Sequence, residues 1–362
     1  MAPPTVLHLT NDTRPDVHLS FCEAFRALAA DGLLTHVPLA PLALLNAGRE
    51  EADAEMLRIA EEARPDLLFV QSPSRFPWTG EEVAALLRRL GSPTVVLWEG
   101  DAWGGHKPVT RSLAAWLGHA DAVFSVAVGA QARLFGRYTR RPVRYIAQTV
   151  PGRLWTDDPV PGPEHAEDDV LHIGGRYLRL GLLERVDGAR QRDRLVRSLR
   201  RLPGCRFATY GSGWRGPGAL GPLRFDDQIR ALRGARMSVG WDHYRGYAGF
   251  FSNRLPISMF AGRPHVAARP AETSWLPGPE CGLHLVGTPA QAVARVTELL
   301  RADPAELHTA GVAGHDWVRS RLTNLNALLH MFSSYLDVPA PPADPWQAIA
   351  AMDTAARAPQ PA

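Results

Sequence analysis

Short apolar runs and longer amphipathic stretches alternate along most of this chain. Residues 6–10, 67–71 and 94–98 are apolar runs of strand length, and residues 50–63 and 79–90 have helical periodicity. Strands that are apolar along their whole length are typical of a parallel sheet with both faces buried. Because helices separate them, we expect right-handed β–α–β units and an α/β fold with doubly wound parallel sheets.

A change of composition divides this alternation into two halves. Residues 150–169 (VPGRLWTDDPVPGPEHAEDD) carry four prolines and six carboxylates with little periodicity, which is typical of a linker. The alternation restarts at residue 170, so we expect two Rossmann-like domains that face a cleft. The predicted boundaries are 1–150 for the first domain, 151–169 for the linker, 170–335 for the second domain and 336–362 for a C-terminal segment with a disordered tail.

The charge balance argues against a nucleic-acid partner. A formal net charge of +3 is small for 362 residues, and nucleic-acid binding usually requires a basic stripe on one face. The basic run at residues 190–201 (RQRDRLVRSLRR) has an ordinary interpretation as a solvated helix face. A helix start that faces a phosphate is the alternative.

The cysteines and the apolar segments bear on the compartment. Cys22, Cys205 and Cys281 are odd in number and far apart, and their spacing suggests neither a zinc site nor a disulfide framework. No signal peptide is visible, and no apolar segment approaches the ~20 residues that span a bilayer. We therefore expect a cytoplasmic protein without an integral membrane segment.

Residues 241–268 (WDHYRGYAGFFSNRLPISMFAGRPHVAA) predict a strand end, a loop rich in aromatic residues, a short helix and a further strand. Ser252 and Asn253 stand at the predicted helix start, and Arg254 follows at once. The N–H groups of a first helical turn, together with the helix dipole, favour an anionic group. An ordinary Ser or Asn helix cap explains the same residues equally well.

A second candidate for phosphate binding is Gly174-Gly175-Arg176, which follows the predicted strand 170–173. Glycines let a backbone approach a phosphate, and the arginine supplies charge-assisted hydrogen bonds; a plain turn is the competing interpretation. This motif is neither a GxGxxG fingerprint nor a GxxxxGK[ST] loop, so NAD binding and ATP hydrolysis lose their main support. The chain also lacks a D-x-D pair, so we expect no metal at the diphosphate and no bound cofactor.

In the first half, residues 98–106 (WEGDAWGGH) follow a predicted buried strand and hold two carboxylates, a histidine and three glycines. Asp101 or His106 would orient or deprotonate a hydroxyl or amine acceptor as a general base. The alternative is a rigid loop in which Asp101 caps a turn. His8 and His172 lie inside apolar strands, and we expect them to be core histidines.

The chain resembles the two-domain GT-B glycosyltransferases, and in particular the family-4-like bacterial branch that includes spore-maturation-protein-like glycosyltransferases. The resemblance is carried by VLHIGG, FATYGSGW, MSVGWDHY and FSNRLPISMFAGRPHVA. It implies GT-B architecture, a first domain for the acceptor, a second for the nucleotide sugar, and a C-terminal segment that crosses back to the first domain. The resemblance implies nine donor-binding residues: Gly174, Gly175, Arg176, Tyr210, Gly211, Gly213, Ser252, Asn253 and Arg254. We add Asp242 and His243, which follow a predicted strand, to the expected donor site.

The expected activity is metal-independent transfer of a sugar from a nucleoside diphosphate to a hydroxyl or amine of a small-molecule or glycan acceptor. Donor and acceptor are the expected partners, and a homodimer stays open. The alternatives are a GT-B-fold epimerase, a phosphorylase, or a sugar-nucleotide-binding accessory protein without turnover. A phosphorylase requires a lysine for pyridoxal, and Lys107 is the only lysine. One departure is Ile257, since many relatives carry a glutamate three residues after the arginine.

Overall fold

A computed structural model describes residues 2–14, 21–105, 107–179 and 183–355 of the chain. These residues fall into two compact units. Unit 1 takes the described residues of Met1–Ala147, Pro151–Arg153 and Asn324–Ala362, and unit 2 takes those of Gln148–Val150 and Leu154–Thr323. The chain thus returns to unit 1 from residue 324, ahead of the expected boundary at residue 336.

Strands and helices alternate in both units. The strands are β1 Thr5–Leu9, β2 Thr35–Leu39, β3 Leu67–Gln71, β4 Thr94–Glu99, β5 Ala122–Ser125, β6 Val143–Tyr145, β7 Asp168–Ile173, β8 Leu178–Arg179, β9 Leu183–Glu184, β10 Phe207–Tyr210, β11 Ala219–Gly221, β12 Ala235–Gly240, β13 His265–Ala268 and β14 Leu283–Val286. The α-helices are α1 Cys22–Ala30, α2 Pro41–Leu44, α3 Arg49–Ala63, α4 Gly80–Arg89, α5 Arg111–His119, α6 Ala130–Phe135, α7 Ala189–Arg200, α8 Gln228–Arg233, α9 Arg254–Phe260, α10 Pro289–Arg301, α11 Pro304–Arg321, α12 Asn324–Phe332 and α13 Ala343–Ala355. Short 3-10 turns cover Leu45–Ala47, Pro73–Arg75, Gly152–Leu154, Pro163–His165, Phe225–Asp227 and Pro279–Cys281.

Unit 1 is built on a six-stranded parallel sheet in the order β2-β1-β3-β4-β5-β6. All five residues of β3 are buried, as expected for a strand covered on both faces. Helix α4 begins where the sequence indicates, because Thr79 and Glu82 form a reciprocal capping box. The core on one side of the sheet includes Trp78 and Trp116, whose rings meet edge to face.

Unit 2 has its own six-stranded parallel sheet in the order β11-β10-β7-β12-β13-β14. Residues of β7, β12 and β13 form its core together with apolar positions of α7 and α10, such as Leu195 and Val296. The predicted fold class, two doubly wound parallel sheets with flanking helices, is confirmed.

In each sheet, successive strands are added first on one side of the first strand and then on its other side. In unit 2 the chain adds β10 and β11 on one side of β7 and then places β12 on the other. In unit 1 the same change falls between β1 and β3. Ligands of doubly wound sheets bind outside the carboxyl ends of the strands at such points.

The structure also corrects the element boundaries expected from the pattern. The pattern of residues 304 to about 336 predicts one long helical region, but α11 ends at Arg321 and α12 starts at Asn324. Between them, Thr323 forms a bridge with Val150, and the N–H of Val150 donates to the carbonyl of Leu322. This pairing takes the chain out of helical hydrogen bonding where it passes between units.

The segment expected to be a linker packs against unit 2. Trp155 stacks obliquely on Phe260 at 5.0 Å, and Arg263 donates to the carbonyl of Gly162 at 3.2 Å. Its last two residues already belong to β7. No helix in the described part of the chain combines the length and apolar character required to cross a membrane.

Candidate active site at the carboxyl edge of the unit 2 sheet

Loops that follow β7 and β10 interlock at the carboxyl edge of the unit 2 sheet. The N–H of Gly174 donates to the carbonyl of Tyr210 at 2.9 Å, and the indole of Trp214 donates to the carbonyl of Gly174 at 2.6 Å. A Cβ at Gly211, where φ is +133°, would lie 2.3 Å from that same carbonyl oxygen. Gly211 is therefore required by the close approach of the two loops, whatever ligand they bind.

Two further predicted residues, Arg176 and Gly213, belong to the same pair of loops. The N–H of Arg176 donates to the carbonyl of Ser212 at 2.8 Å, and a Cβ at Gly213 would lie 3.0 Å from the Arg176 carbonyl. The guanidinium of Arg176 forms an ion pair with Asp193 of α7 at 2.6 Å. Its charge is thus partly compensated within the protein, which leaves less of it for a ligand.

Arg192 of α7 joins the loops after β7 and β12. Its side chain is only 2% exposed, and it donates from Nε to the carbonyl of Trp241 at 2.7 Å and from Nη1 to the carbonyl of Gly175 at 3.1 Å. Burial, and after it the charge of Arg254, lowers the pKa of the Arg192 guanidinium to about 9. Arg192 remains charged at neutral pH. An anion bound beside it would offset the free-energy cost of burying this charge.

Asp242, Ser252 and Arg254 form a second cluster at the end of β12. Ser252 donates to the carboxylate of Asp242 from both its N–H, at 2.9 Å, and its hydroxyl, at 2.6 Å. Arg254 lies 3.9 Å from the same carboxylate, and its side chain is 34% exposed. Burial opposes the charged form of Asp242, but Arg254 and the Ser252 hydrogen bonds outweigh it, so the pKa of Asp242 is lowered.

The helix start itself differs from the expected arrangement. Helix α9 begins at Arg254 and has only seven residues, and Asn253 makes no capping hydrogen bond with its side chain. The hydroxyl and N–H of Ser252 are both directed to Asp242. The anion-binding capacity of this stretch therefore depends on the Arg254 side chain more than on the backbone of the first turn.

Two histidines lie beside these clusters in neutral form. His172 of β7 donates from Nδ1 to the carbonyl of Val239, 2.9 Å away, and burial lowers its pKa to about 3. Burial likewise lowers the pKa of His243, which contacts the carbonyl of Asp187 through Nδ1, to about 3. Neither Nε2 atom has a hydrogen-bond partner among the described residues. His172 is the core histidine that the sequence predicts.

In unit 1, Asp101 lies in the loop after β4, with 64% of its side chain exposed and an ion pair to Lys107 at 2.7 Å. Lys107 also lies 4.1 Å above the ring of Trp103. His106, the other predicted catalytic residue, lies outside the described residues.

Glu99, which precedes this loop, was not singled out by the sequence. It is fully buried, and its Oε1 accepts hydrogen bonds from the N–H of Asp101 at 2.9 Å and the hydroxyl of Ser72 at 3.3 Å. Burial, with a smaller contribution from the charge of Asp101, raises the pKa of Glu99 to about 8. The carboxyl is therefore mainly neutral at pH 7 and serves as a support for the loop.

Sequence reasoning also missed Arg192, which it placed on a solvated helix face. Arg192 precedes Leu195 by three residues and Val196 by four, so it shares their helix face and is buried with them. That spacing is the signal that would have identified it. Ile257, where an acid was expected, is fully buried on α9, so this position belongs to the core of unit 2.

Comparison with known proteins agrees with this architecture. A family described as Glycosyl transferase-like matches residues 190–330, the part of unit 2 that begins with α7. No curated protein matches the chain.

Solved structures similar to the whole chain share its fold at low identity. Sucrose-phosphate synthase from Thermosynechococcus elongatus is 16% identical with a TM-score of 0.57, over 92% of this chain and 98% of that one. HepE from Anabaena in complex with UDP-glucose is 13% identical with a TM-score of 0.56, over 91% and 99%. An alpha-glucosyltransferase in complex with UDP and a 13-mer DNA is 11% identical with a TM-score of 0.60, over 91% and 98%.

These matches confirm the predicted resemblance to glycosyltransferases of GT-B fold. The two parallel sheets are those of the GT-B architecture, and the family match falls on the unit that holds the clusters around Arg192 and Arg254. Residues 190–330 therefore carry a glycosyl transferase-like domain, and the chain as a whole has the GT-B fold.

Proposed function

We propose that this protein transfers a glycosyl group from a nucleoside diphosphate sugar to a hydroxyl or amine acceptor without a divalent metal or a bound cofactor. The observation that carries the proposal is the positive cluster at the point between β7 and β12 where strand addition changes sides. Among the described residues, Asp242 is the carboxylate whose charge acts on Arg192, and it also lies 3.9 Å from Arg254. Such a site favours a ligand with negative charge.

The chemistry of transfer explains why a positive cluster would be useful. When the bond between the sugar and the diphosphate breaks, negative charge grows on the departing phosphate oxygen. A guanidinium already held in place stabilises that charge without reorganisation. Arg254 has a partly exposed side chain that can contact the diphosphate, while the buried Arg192 holds the loops on either side and adds its positive charge to the site.

A uridine diphosphate sugar is the first donor to test. HepE has been solved with UDP-glucose, and the alpha-glucosyltransferase with UDP. On the acceptor side, Asp101 remains our candidate for orienting the acceptor hydroxyl or amine. Its exposed carboxylate and its Lys107 partner support this role, since the ion pair fixes the carboxylate at the loop surface.

The donor role is tested with Arg254→Ala. We expect this variant to reduce donor use at least tenfold, equivalent to about 1.4 kcal/mol or more in the barrier, because a contact to the diphosphate is lost. The readout is UDP released from UDP-glucose in the presence of an acceptor panel, together with thermal stabilisation by UDP, which reports binding by mass action. Added Mg²⁺ or Mn²⁺ should leave turnover unchanged.

Arg230→Ala is the matched control, since Arg230 lies in the same unit with 84% of its side chain exposed and should have no effect. Unchanged UDP stabilisation in Arg254→Ala would show that the cluster only supports the fold. Conversion of the donor by enzyme alone would indicate an epimerase. Binding of UDP-sugar without release under any acceptor would indicate an accessory protein.

A further inference from the structure

Unit 1 brings together three side chains that bind transition metals well: His8 on β1, Cys22 at the start of α1 and His36 on β2. His8 Nδ1 lies 3.3 Å from His36 Nε2 and 3.9 Å from Cys22 Sγ, and all three atoms lie within 4.8 Å of one another. We propose that these residues bind a Zn²⁺ ion. This goes beyond the proposed transfer reaction, whose donor residues belong to unit 2.

The distances correspond to those of a tetrahedral zinc site. Zinc–nitrogen bonds of about 2.0–2.1 Å and zinc–sulfur bonds of about 2.3 Å place two nitrogens about 3.3–3.4 Å apart and nitrogen and sulfur about 3.6 Å apart. The two histidine nitrogens already have the required separation. Cys22 Sγ has to move closer to both histidines, by a few tenths of an ångström toward His8 Nδ1 and by up to about 1.2 Å toward His36 Nε2, a change within reach of a side-chain rotation.

A hydrogen-bond chain behind His8 sets the orientation of its ring. The amide nitrogen of Gln71 donates to Asn11 Oδ1 at 3.1 Å, so its oxygen is the atom that faces His8 Nε2 at 3.0 Å. His8 Nε2 must then donate its hydrogen, which directs the Nδ1 lone pair toward Cys22 and His36. Partners of this kind fix the tautomer of metal-binding histidines in known sites.

Strand register explains why the two histidines meet. Val6 pairs with His36 and His8 with Pro38, so His8 and His36 are two positions apart and share one face of the sheet. His8 and Cys22 are fully buried, whereas His36 is partly exposed and provides a route for an ion.

The choice of ion follows from the donor atoms and their surroundings. Phe25 stacks on His36 at 4.6 Å, and Phe69 lies 5.2 Å from His8. A thiolate and two imidazoles in an apolar shell suit Zn²⁺ and bind Mg²⁺ or Ca²⁺ poorly. With three protein ligands, a water molecule would complete the tetrahedron.

The experiment uses the full-length protein after treatment with a chelator, titrated with Co²⁺ as a spectroscopic substitute for zinc. We expect one equivalent of Co²⁺ to give a sulfur-to-cobalt charge-transfer band and the intense visible bands of tetrahedral cobalt. Zn²⁺ should abolish both by displacement. Cys22→Ser should remove the charge-transfer band, and Gln71→Leu should weaken zinc binding by about 10–100-fold through loss of the His8 orientation.

Cys205→Ser is the control, because Cys205 is a partly buried cysteine of unit 2 and its loss should leave the spectrum unchanged. Each variant is compared with wild type by circular dichroism without metal. If Cys22→Ser does not fold, His36→Asn, at a partly exposed position, replaces it and should likewise abolish the tetrahedral spectrum. Absence of a charge-transfer band in wild type, or zinc binding that survives both substitutions, would overturn the proposal.

Discussion

At the scale of single residues, surroundings decide what each charged side chain can do. Arg176 and Arg254 are both arginines that follow strands of unit 2, yet Arg176 pairs closely with Asp193 while Arg254 lies 3.9 Å from Asp242. Arg254 is therefore left with more of its charge to offer a ligand than Arg176. The sequence presents the two as equivalent.

Glu99 provides a prediction at this scale. Its pKa is raised from 4.5 to about 8, so between these values the folded chain binds a proton that the unfolded chain has released. Stability therefore falls as pH rises from about 4.5 to 8, on the order of 1.4 kcal/mol for each unit of pKa shift. Glu99→Gln, which is neutral at every pH, should remove this fall. Urea unfolding of both proteins from pH 5 to pH 9 measures it.

Glu81→Gln is the control for this experiment, because Glu81 is exposed on α4 and should leave the pH dependence of wild type in place. A Glu99→Gln variant that still loses stability above pH 7 to the same extent would show that other groups cause the effect.

At the scale of elements, unit 2 depends on very close packing between α11 and its neighbours. A Cβ at Gly311 would lie 2.3 Å from the carbonyl oxygen of Gly262, the residue that ends the turn after α9 with φ of +78°. A Cβ at Gly314 would lie 2.3 Å from the carbonyl oxygen of Cys281. Two bare glycine positions thus set the distance between α11 and the backbone beneath it.

Gly311→Ala should therefore destabilise unit 2 by about 1–3 kcal/mol, because the added methyl group meets backbone that cannot move aside cheaply. The measurement is chemical unfolding followed by the fluorescence of the chain. Gly246→Ala is the matched control, since its Cβ would meet no atom within 4 Å and its φ is not positive. Equal effects of the two substitutions would refute the packing argument.

At the scale of the whole molecule, the two units should respond differently to acid. Burial lowers the pKa of four histidines of unit 2, to about 3 for His172 and His243 and to about 4 for His265 and His284. The unfolded chain binds these protons near pH 6.5, so stability is fully present above that pH and is lost as pH falls toward 4. In unit 1, the raised pKa of Glu99 makes stability increase as pH falls over this range. Burial lowers the pKa of His330, which acts in the same direction as the histidines of unit 2.

Hydrogen exchange followed by mass spectrometry tests this difference. After correction for the intrinsic pH dependence of exchange, protection in β7, β12 and β13 should fall more between pH 7 and pH 5 than protection in β1, β3 and β4. An equal loss in the two sheets, or a greater loss in unit 1, would contradict the prediction.

The fold was predictable because its signals are local. Each buried strand, such as β3, is apolar along its own length, and each helix start, such as Thr79 with Glu82, is contained in a few neighbouring residues. Strands whose apolar character is weak were missed, for example β2 (THVPL), where only the last residue is buried. The break between α11 and α12 was missed because it depends on pairing with Val150, far away in the chain.

What the sequence by itself determined is the layered α/β fold, its division into two units and the polar character of the loops at the strand ends, since all of these follow from short-range patterns of burial. Tertiary structure alone decided which side chains share a site. Arg192 meets Trp241, and His8 meets Cys22 and His36, through contacts between distant segments. The charge state of Glu99 likewise depends on burial by the surrounding fold. Periodic spacing reveals at most that a residue such as Arg192 is buried, and not which residue it meets, because the partners belong to different elements.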